Sequence, residues 1–322
     1  MTDIPISRIF DAYTRLMNVA VETPLVSSSF LGTNMWMKAE NLQKTGSFKL
    51  RGAFYKIDSL TDEQISHGVI ACSAGNHAQG VALAATKRGI KSVICMPANA
   101  PKQKIKATEE YGGQVILVEG NYDAAAKEAM RLRDEYGYTL VHPFDDPFVI
   151  AGQGTIGYEI LYQKNDVQQI IVPIGGGGLI SGIGLLIKTI KPSCKIIGVQ
   201  AKDVPSMYTS IAANKITTVS DNKTIADGIH VLTPGDLTFE MVNKYVDNIV
   251  TVSEDEIADA MVKLVEYPKI VAEGAGAVSV AAYINGKVDK SLKTVCVVSG
   301  GNVDVSLFYD IIKANIGKHY NM

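Results

Sequence analysis

One lysine lies between two large apolar residues in the segment SFKLRG, residues 47–52. Loss of hydration in an apolar setting lowers the pKa of a lysine, and a larger neutral fraction of its amine can then attack an aldehyde. Lys49 is therefore a candidate nucleophile. The alternative is a surface lysine whose stem packs while its amine stays in water, which is common. The segment alone does not decide between the two.

Four consecutive glycines, residues 175–178, follow the apolar run IIVPI and precede a further apolar segment. This order predicts a buried strand, a turn without side chains and a helix. Backbone N–H groups in such a turn can point together at an anion, and the positive end of the helix dipole adds to the attraction. We favour a phosphate-binding loop over a glycine turn that only permits close packing.

A second glycine-rich segment, GQGTIG at residues 152–157, matches the dinucleotide-binding fingerprint G-x-G-x-x-G. Its context does not match. No clean strand precedes the segment, and no acidic residue ends the next strand to hold a ribose. The segment therefore predicts a glycine-rich helix face or loop, and a nicotinamide-dependent dehydrogenase remains only a remote alternative.

Two more predicted strand ends run directly into small polar residues, in SAGNHAQ (residues 73–79) and SGGNVD (residues 299–304). In the first, Ser73 and Asn76 could present hydroxyl, amide and backbone donors to a carboxylate, or Asn76 could simply cap the following helix. In the second, Ser299 could bond a ring nitrogen. Carboxyl ends of parallel strands converge, so we expect these residues to share a site.

Short β-branched runs alternate with helical runs from residue 68 onward, as in a parallel sheet with crossover helices. The α/β class follows, with a small domain at residues 61–145 inserted between residues 1–60 and 146–322, which form a large domain. The predicted strands are 35–39, 69–72, 92–96, 114–118, 139–141, 169–174, 195–200 and 294–298. The predicted helices include 77–87, one that Pro101 opens at its first position, and 122–136.

Composition excludes several classes of function. The 322 residues carry a formal charge of -2 without a basic run, so nucleic acid is not an expected partner. Residues 170–187 are uncharged but contain six glycines and a proline, which predicts a buried strand, loop and helix rather than a membrane span. The amino terminus lacks an apolar signal region, and we expect a cytoplasmic location.

The cysteines and histidines predict no metal site. The four cysteines form no C-x-x-C pair and are interpreted as buried, reduced thiols, and the five histidines contain no H-E-x-x-H motif. The cysteines are Cys72, Cys95, Cys194 and Cys296.

In this order, the motifs resemble those of the fold-type II pyridoxal-phosphate enzymes over nearly the whole chain. More narrowly, they are similar to threonine dehydratases and serine racemases. The strings that carry the resemblance are GSFKLRGA, SAGNHAQG, AGQGTIG, GGGGL, TIADG and SGGNVD. The resemblance implies a tryptophan synthase β-like architecture, with two open twisted α/β domains and the active site between them. Only 18 residues follow Asp304, so no C-terminal regulatory domain is expected.

The resemblance also implies a role for each site residue, with pyridoxal 5'-phosphate as the cofactor. Lys49 would bind the cofactor aldehyde covalently and remove the substrate Cα proton as the catalytic residue. The cofactor would also contact Phe48, Asn76, Gly175, Gly176, Gly177, Gly178, Gly228 and Ser299. The substrate carboxylate would lie against Ser73, Ala74, Asn76 and His77, and Asp227 and Glu273 would lie near the cofactor.

The implied activity is that of a lyase of amino-acid catabolism, a threonine and serine ammonia-lyase. It would convert L-threonine to 2-oxobutanoate and L-serine to pyruvate, each with release of ammonia. The main alternative is a serine racemase with side elimination, and Ala74 disfavours it, since racemases that resemble this chain have serine there. A 3-hydroxyaspartate dehydratase and a non-catalytic ligand-binding module are remote alternatives.

The resemblance leaves partners and regulation partly open. Some relatives bind a nucleotide near positions that match Lys44, Thr45 and Gln79, so AMP or ATP is a possible effector. A homodimer or a higher homo-oligomer is expected. Serine racemases hold a divalent cation with carboxylates where this chain has Gln200 and Ser206, and we therefore predict no tight Mg²⁺ or Ca²⁺ site there.

Overall fold

In the computed structural model, which describes residues 4–315, apolar strands assemble into two separate sheets flanked by helices. The strands are β1 (Leu25–Ser27), β2 (Met35–Ala39), β3 (Val69–Cys72), β4 (Ser92–Pro97), β5 (Gln114–Val118), β6 (Thr139–Leu140), β7 (Gln169–Pro173), β8 (Lys195–Ala201), β9 (Asn248–Val252) and β10 (Thr294–Val298). The first seven helices are α1 (Ile6–Leu16), α2 (Lys49–Asp58), α3 (Asp62–His67), α4 (Asn76–Arg88), α5 (Lys102–Glu110), α6 (Tyr122–Tyr136) and α7 (Pro147–Gln163). The others are α8 (Gly178–Ile190), α9 (Ser206–Ala212), α10 (Asp236–Tyr245), α11 (Glu254–Glu266), α12 (Gly274–Ile284) and α13 (Val305–Asn315).

The larger sheet has the strand order β1-β2-β10-β7-β8-β9. Only β1 is antiparallel to its neighbour, and the other strands run parallel. Its central strands β7 and β10 are buried along their whole length, because helices cover both faces of a parallel sheet. The carboxyl ends of these two strands therefore lead directly into the glycine run and into Ser299.

The smaller sheet has the order β5-β4-β3-β6, and all of its strands are parallel. Its strands lie within residues 61–145, whereas those of the larger sheet come from the two flanking parts of the chain. Each sheet with its flanking helices is called the smaller or the larger unit below, and helix α2 lies between the helices of the two units. Leu50, Phe54 and Ile57 pack into the core of the smaller unit, and Tyr55 packs with helix α7 of the larger one. The domain boundaries at residues 60 and 145 stay a prediction.

All eight predicted strands are present, with ends that differ from the prediction by at most one residue. The edge strands β1 and β9 were not predicted, because short edge strands have a weak apolar pattern. Pro101 was placed wrongly: it precedes helix α5 with extended backbone angles instead of occupying the first helical position. The four cysteines are buried and free, as predicted.

The dinucleotide-like segment 152–157 lies in the middle of helix α7, where its glycines permit close packing. A Cβ atom at Gly152 would lie 2.6 Å from the Cα of Gly52, and one at Gly154 would lie 2.9 Å from the carbonyl oxygen of Gly182. Since no strand leads into these glycines, a dehydrogenase fingerprint is contradicted and the helix-face prediction is confirmed. Within residues 4–315, no helix combines the length and apolar character needed to cross a bilayer.

Four charged side chains are buried together where β2, α2 and α7 meet. Arg51 donates to both Glu40 oxygens at 2.8 Å and to both Glu159 oxygens at 2.5 and 2.9 Å. Lys38 donates to Glu159 at 2.5 Å and to the Thr23 carbonyl at 2.6 Å. Two cations thus face two carboxylates, so no charge in this cluster is left unpaired. The cluster fixes the first turn of α2, which begins at Lys49.

Candidate active site

Lys49 is half-buried at the start of α2 and has a single hydrogen-bond acceptor among residues 4–315. Its Nζ donates to the carbonyl oxygen of Pro143 at 2.8 Å and lies 5.3 Å from the centroid of the Phe48 ring. Burial lowers the pKa of Lys49 to about 8, and the nearby Glu273 carboxylate opposes that shift. A much larger fraction of the amine is therefore neutral near pH 7 than for an exposed lysine, as the apolar flanking residues predict.

The loop of residues 175–178 leaves its backbone donors unused. Gly177 has a left-handed φ of +97° and directly precedes helix α8, and no side chain caps that helix. The N–H groups of these four glycines donate to no acceptor in the part of the chain that the structure describes. Free N–H groups at the positive end of a helix dipole form an anion-binding site, which matches the predicted phosphate loop.

Close neighbours explain why this loop has no side chains. A Cβ atom at Gly176 would lie 2.3 Å from the Phe144 ring, and one at Gly177 would lie 2.9 Å from Met207 and Thr238. Phe144 follows Pro143, whose carbonyl accepts the hydrogen bond of Lys49. The glycine loop and the amine of Lys49 therefore border the same short segment.

The loop of residues 73–77 joins β3 to α4. The Oγ atom of Ser73 accepts a hydrogen bond from the backbone N–H of Gly75 at 3.2 Å, and the Ala74 methyl packs against the core of the smaller unit. Asn76 does not cap α4; Gly75 is the N-terminal cap residue, and no side chain caps the first N–H groups of this helix. The helix-capping alternative is thus wrong, and the Asn76 side chain has partners elsewhere.

His77 is neutral and has one unused nitrogen. Its Nε2 lies 2.8 Å from the Val141 carbonyl, which can only accept, so Nε2 carries the proton and Nδ1 is a buried acceptor without a partner among the described residues. Burial and the charge of Lys49 lower the pKa of His77 to about 3. Nδ1 cannot donate to a carboxylate, so the backbone N–H of His77 is the donor left for the predicted contact.

Glu273 links the loop of residues 73–77, called the carboxylate loop below, to the larger unit. Its Oε1 accepts a hydrogen bond from Asn76 Nδ2 at 2.6 Å, and Asn76 Oδ1 accepts one from Asn302 Nδ2 at 2.7 Å. Burial is the main cause that raises the pKa of Glu273 to about 7, and the charge of Asp227 raises it further. The hydrogen bond from Asn76 opposes the rise. Glu273 therefore changes its charge near neutral pH.

Ser299 and Phe48 lie side by side where β10 ends. The backbone N–H of Phe48 donates to the Ser299 carbonyl at 3.1 Å, and Ser47 pairs with Gly300 in an isolated β-bridge. The Ser299 hydroxyl is buried and has only a long contact of 3.4 Å to the Ala275 carbonyl. This hydroxyl is therefore available to a stronger partner, such as a ring nitrogen.

Asp227 and Gly228 belong to the 3-10 helix Asp227–Ile229. Asp227 is exposed and pairs with Lys104 of α5 at 2.7 Å, so it bridges the larger unit to the smaller one. A Cβ atom at Gly228 would lie 3.3 Å from Glu273 Oε1, and one at Gly175 would lie 3.1 Å from the Ile229 Cα. The 3-10 helix therefore lies close to both Glu273 and the glycine loop.

The residues present match the chemistry of pyridoxal phosphate. The group needs an amine for its aldehyde, an anion site for its phosphate and a neutral partner for its ring nitrogen. Lys49, the free N–H groups of residues 175–178 and the Ser299 hydroxyl supply these three features.

No metal centre is evident in the described part of the chain, where no three potential ligands among His, Cys, Asp and Glu cluster. Gln200 Oε1 accepts a hydrogen bond from the Tyr208 N–H at 2.8 Å, and Ser206 Oγ donates to the Val231 carbonyl at 2.6 Å. The absence of a tight Mg²⁺ or Ca²⁺ site stays a prediction.

Three residues of the site were not assigned a role from the sequence. Pro143 and Phe144 carry no charge or nucleophile that would single them out, although they follow the end of strand β6 just as Ser73 follows β3. Asn302 lies in the string SGGNVD but carries no charge or nucleophile that would single it out. The signal for Pro143 and Phe144 was their position after β6, a strand of the same parallel sheet as β3.

These features define an α/β enzyme built to hold a phosphorylated aldehyde cofactor beside a reactive lysine. The sequence profile described as "Pyridoxal-phosphate dependent enzyme" matches residues 17–300. The chain belongs to this family of pyridoxal-phosphate-dependent enzymes, and the predicted fold type and cofactor are confirmed.

Similar proteins narrow the class further. The chain is 51% identical to an L-threonine ammonia-lyase of Thermotoga maritima, over 98% of this chain and 80% of that protein. It is 45% identical to the catabolic L-threonine dehydratase TdcB of Escherichia coli K12, over 94% of this chain and 95% of that protein. Its fold is similar to that of maize serine racemase, with a TM-score of 0.91, 37% identity and 98% of each chain covered.

Proposed function

We propose that this enzyme deaminates L-threonine to 2-oxobutanoate and ammonia, and L-serine to pyruvate and ammonia. The observation that carries the proposal is the meeting of the Lys49 amine with the glycine loop through Pro143 and Phe144. Identities of 45–51% to threonine ammonia-lyases and dehydratases support the same reaction.

Each site residue has a role in this proposal. The N–H groups of residues 175–178 hold the cofactor phosphate, and the Ser299 hydroxyl meets the ring nitrogen. The Ser73 hydroxyl and the N–H groups of Asn76 and His77 hold the substrate carboxylate at the start of α4. When bound, pyridoxal phosphate supplies an electron sink for the negative charge that develops at the substrate Cα.

Lys49 moves the proton in the central step. Its amine, with a pKa of about 8, is neutral often enough near pH 7 to accept the Cα proton, and this proton and the β-hydroxyl are together lost as water. A hydroxyl at the ring nitrogen carries no negative charge and does not stabilise a protonated ring as a carboxylate would. We infer that this favours elimination over a long-lived carbanion.

Serine racemization is the second candidate, because the fold is similar to that of maize serine racemase. A racemase needs a proton donor on each face of the planar carbanion, and Lys49 serves one face only. The side chain at position 74 is a methyl that packs against apolar residues and has no proton to donate. We therefore expect D-serine at a trace rate at most.

The test combines a substrate panel with product chirality. L-threonine, L-serine and 3-hydroxyaspartate are assayed for ammonia and 2-oxo acid, and the serine reaction is also analysed by chiral chromatography. Pyruvate without comparable D-serine is the expected result, and Ala74→Ser should raise the ratio of D-serine to pyruvate. D-serine formed as fast as pyruvate by the unaltered enzyme would overturn the assignment.

We further propose a cytoplasmic homodimer or larger homo-oligomer, supported by four buried free thiols that suit a reducing compartment. An AMP or ATP site at Lys44, Thr45 and Gln79 is compatible with the exposure of Lys44, whose Nζ donates to the Asn18 carbonyl at 3.3 Å. Sedimentation with and without each nucleotide tests both points. A monomer whose sedimentation and thermal midpoint do not change when either nucleotide is added would contradict both points.

A further inference from the structure

A chain of side-chain amides connects the segment before Lys49 to Glu273. Asn302 Nδ2 donates to the Thr45 carbonyl at 2.7 Å and to Asn76 Oδ1 at 2.7 Å, and Asn76 Nδ2 donates to Glu273 Oε1 at 2.6 Å. The Thr45–Asn302–Asn76–Glu273 chain, called the amide relay below, joins four segments that border the site.

The direction of every hydrogen bond in the amide relay follows from its first member. A backbone carbonyl has no proton, so the NH₂ group of Asn302 must face Thr45. Both hydrogens of that NH₂ group are then used, one on Thr45 and one on Asn76. The oxygen of the Asn76 amide must therefore face Asn302, and its NH₂ group must face Glu273.

The fixed orientation of the Asn76 amide constrains only one of the two carboxyl oxygens of Glu273. Oε1 faces a donor and must act as an acceptor, so a proton on this carboxyl has to reside on Oε2. Oε2 makes no hydrogen bond to the described residues. A Cβ atom at Gly300 would lie 2.4 Å from Oε1, so the glycine at this position leaves the space that this oxygen occupies.

We propose that Asn302 is a positioning residue whose two hydrogen bonds orient Asn76, so that Glu273 exchanges its proton through Oε2 only. This inference rests on the proposed function, because it assigns the amide relay to the same site. It assigns a role to Asn302, whose hydrogen bonds go to Thr45 and Asn76 and not to Lys49 or Glu273. Asn302 acts through Asn76, which lies in the carboxylate loop and donates a hydrogen bond to Glu273.

The charges around Glu273 define what a titration should show. Asp227 on the 3-10 helix raises the pKa of Glu273, whereas Lys104 of α5 and Lys49 of α2 lower it. None of these three belongs to the amide relay. Loss of the relay removes a donor to the charged form of Glu273 and should therefore raise its pKa while the other charges stay in place.

The test follows the Glu273 carboxyl by infrared titration of holoenzyme labelled with ¹³C-glutamate, and Glu273→Gln identifies its band. Asn302→Ala, which adds no charge, should move the titration upward by about one pH unit, the effect of one charge-assisted hydrogen bond. Asn76→Ala, which removes the donor itself, should give at least the same shift. Asn302→Asp should give the largest shift, because the new carboxylate turns the Asn76 oxygen toward Glu273.

The control is Asn285→Asp, the same change at the far end of α12, where Asn285 donates to the Ala281 carbonyl. It should leave the titration unchanged. If Asn302→Ala titrates as the unaltered enzyme does while Asn76→Ala shifts, the proposal is overturned, even if Asn302→Asp does not fold. The infrared band is read without substrate, so a failure of the ammonia-lyase assay would contradict the proposed function and not this inference.

Discussion

Helix α2 separates two regions of the molecule that differ in how completely their polar groups are hydrogen-bonded. On one side, Lys49 has a single carbonyl acceptor and the N–H groups of residues 175–178 have none among the described residues. On the other side, Arg51 donates to two carboxylates, a hydroxyl and a carbonyl. Complete partnering stabilises the fold, whereas incomplete partnering leaves groups that can bind a ligand.

The glycines repeat this contrast. Residues 175–178 form a loop and helix start whose backbone donors are free, while Gly152 and Gly154 lie within helix α7, where the helix itself uses their N–H groups. The glycines at both places lack side chains, but only those of residues 175–178 leave N–H groups free to bind an anion. A glycine motif therefore indicates a ligand site only when the strand and helix around it leave donors unused.

The largest effect is expected from Lys49→Ala, which removes the reactive amine. Turnover should fall by about 10,000-fold or more, since Lys49 both binds the cofactor and moves the proton. The free energy of unfolding should change little, because only one hydrogen bond to a carbonyl is lost. Stopped assays and urea unfolding measure the two effects. Lys56→Ala, on the same helix, is the control, and retained turnover in Lys49→Ala would remove the basis of the site.

Arg51→Met tests the fully paired side of α2. It leaves Glu40 buried without its cation and should lower the free energy of unfolding by about 3–5 kcal/mol. Addition of Glu40→Gln to this variant should recover part of the loss, because the unpaired charge is removed. Urea unfolding of the two variants gives the numbers. A single variant as stable as the unaltered protein would contradict the stabilising role of the cluster.

Gly177→Asp tests the loop with free donors. It places a carboxylate where the phosphate should bind and should weaken cofactor binding by about 100-fold or more. Because Gly177 has a positive φ and close neighbours, Gly177→Ala measures the steric part separately. Titration of each apoprotein with cofactor, followed by visible absorbance, gives the affinities. Equal affinities for the two variants would argue against an anion site.

A smaller effect is expected in the pH dependence of cofactor capture. The Lys49 amine must be neutral to attack, and its pKa of about 8 lies below the 10.5 of an ordinary lysine. The capture rate should therefore rise about tenfold per pH unit up to pH 7 and level off above pH 8. Glu273→Gln removes a charge that raises the pKa of Lys49, and should move this curve to lower pH. A rate that still rises steeply at pH 10 would show an unperturbed amine.

Much of this arrangement could be predicted from the sequence, because parallel strands have a strong signal. Buried runs such as β7 and β10 stand out by their apolar residues, and their carboxyl ends carry the glycine loop and Ser299. The two glycine segments could be separated by context, since only one follows a strand. The resemblance to a known family then gave the cofactor and the role of Lys49.

Other features depend on contacts between distant parts of the chain. From its local sequence Asn76 could either bind a carboxylate or cap the helix, but its side-chain partners are Glu273 and Asn302, about 200 residues away. The single partner of Lys49 lies in a loop after β6 that has no distinctive residue type. Periodicity and local motifs carry no information about such pairings, which only the packing of two sheets creates.

The most direct test of the central claim is the position of the covalent bond between enzyme and cofactor. Purified holoenzyme is reduced with borohydride, digested and mapped by mass spectrometry, and Lys38 and Lys104 serve as internal controls. The cofactor adduct should lie on Lys49 alone, and the visible absorbance band should be lost. An adduct on another lysine, or none after complete reduction, would contradict it.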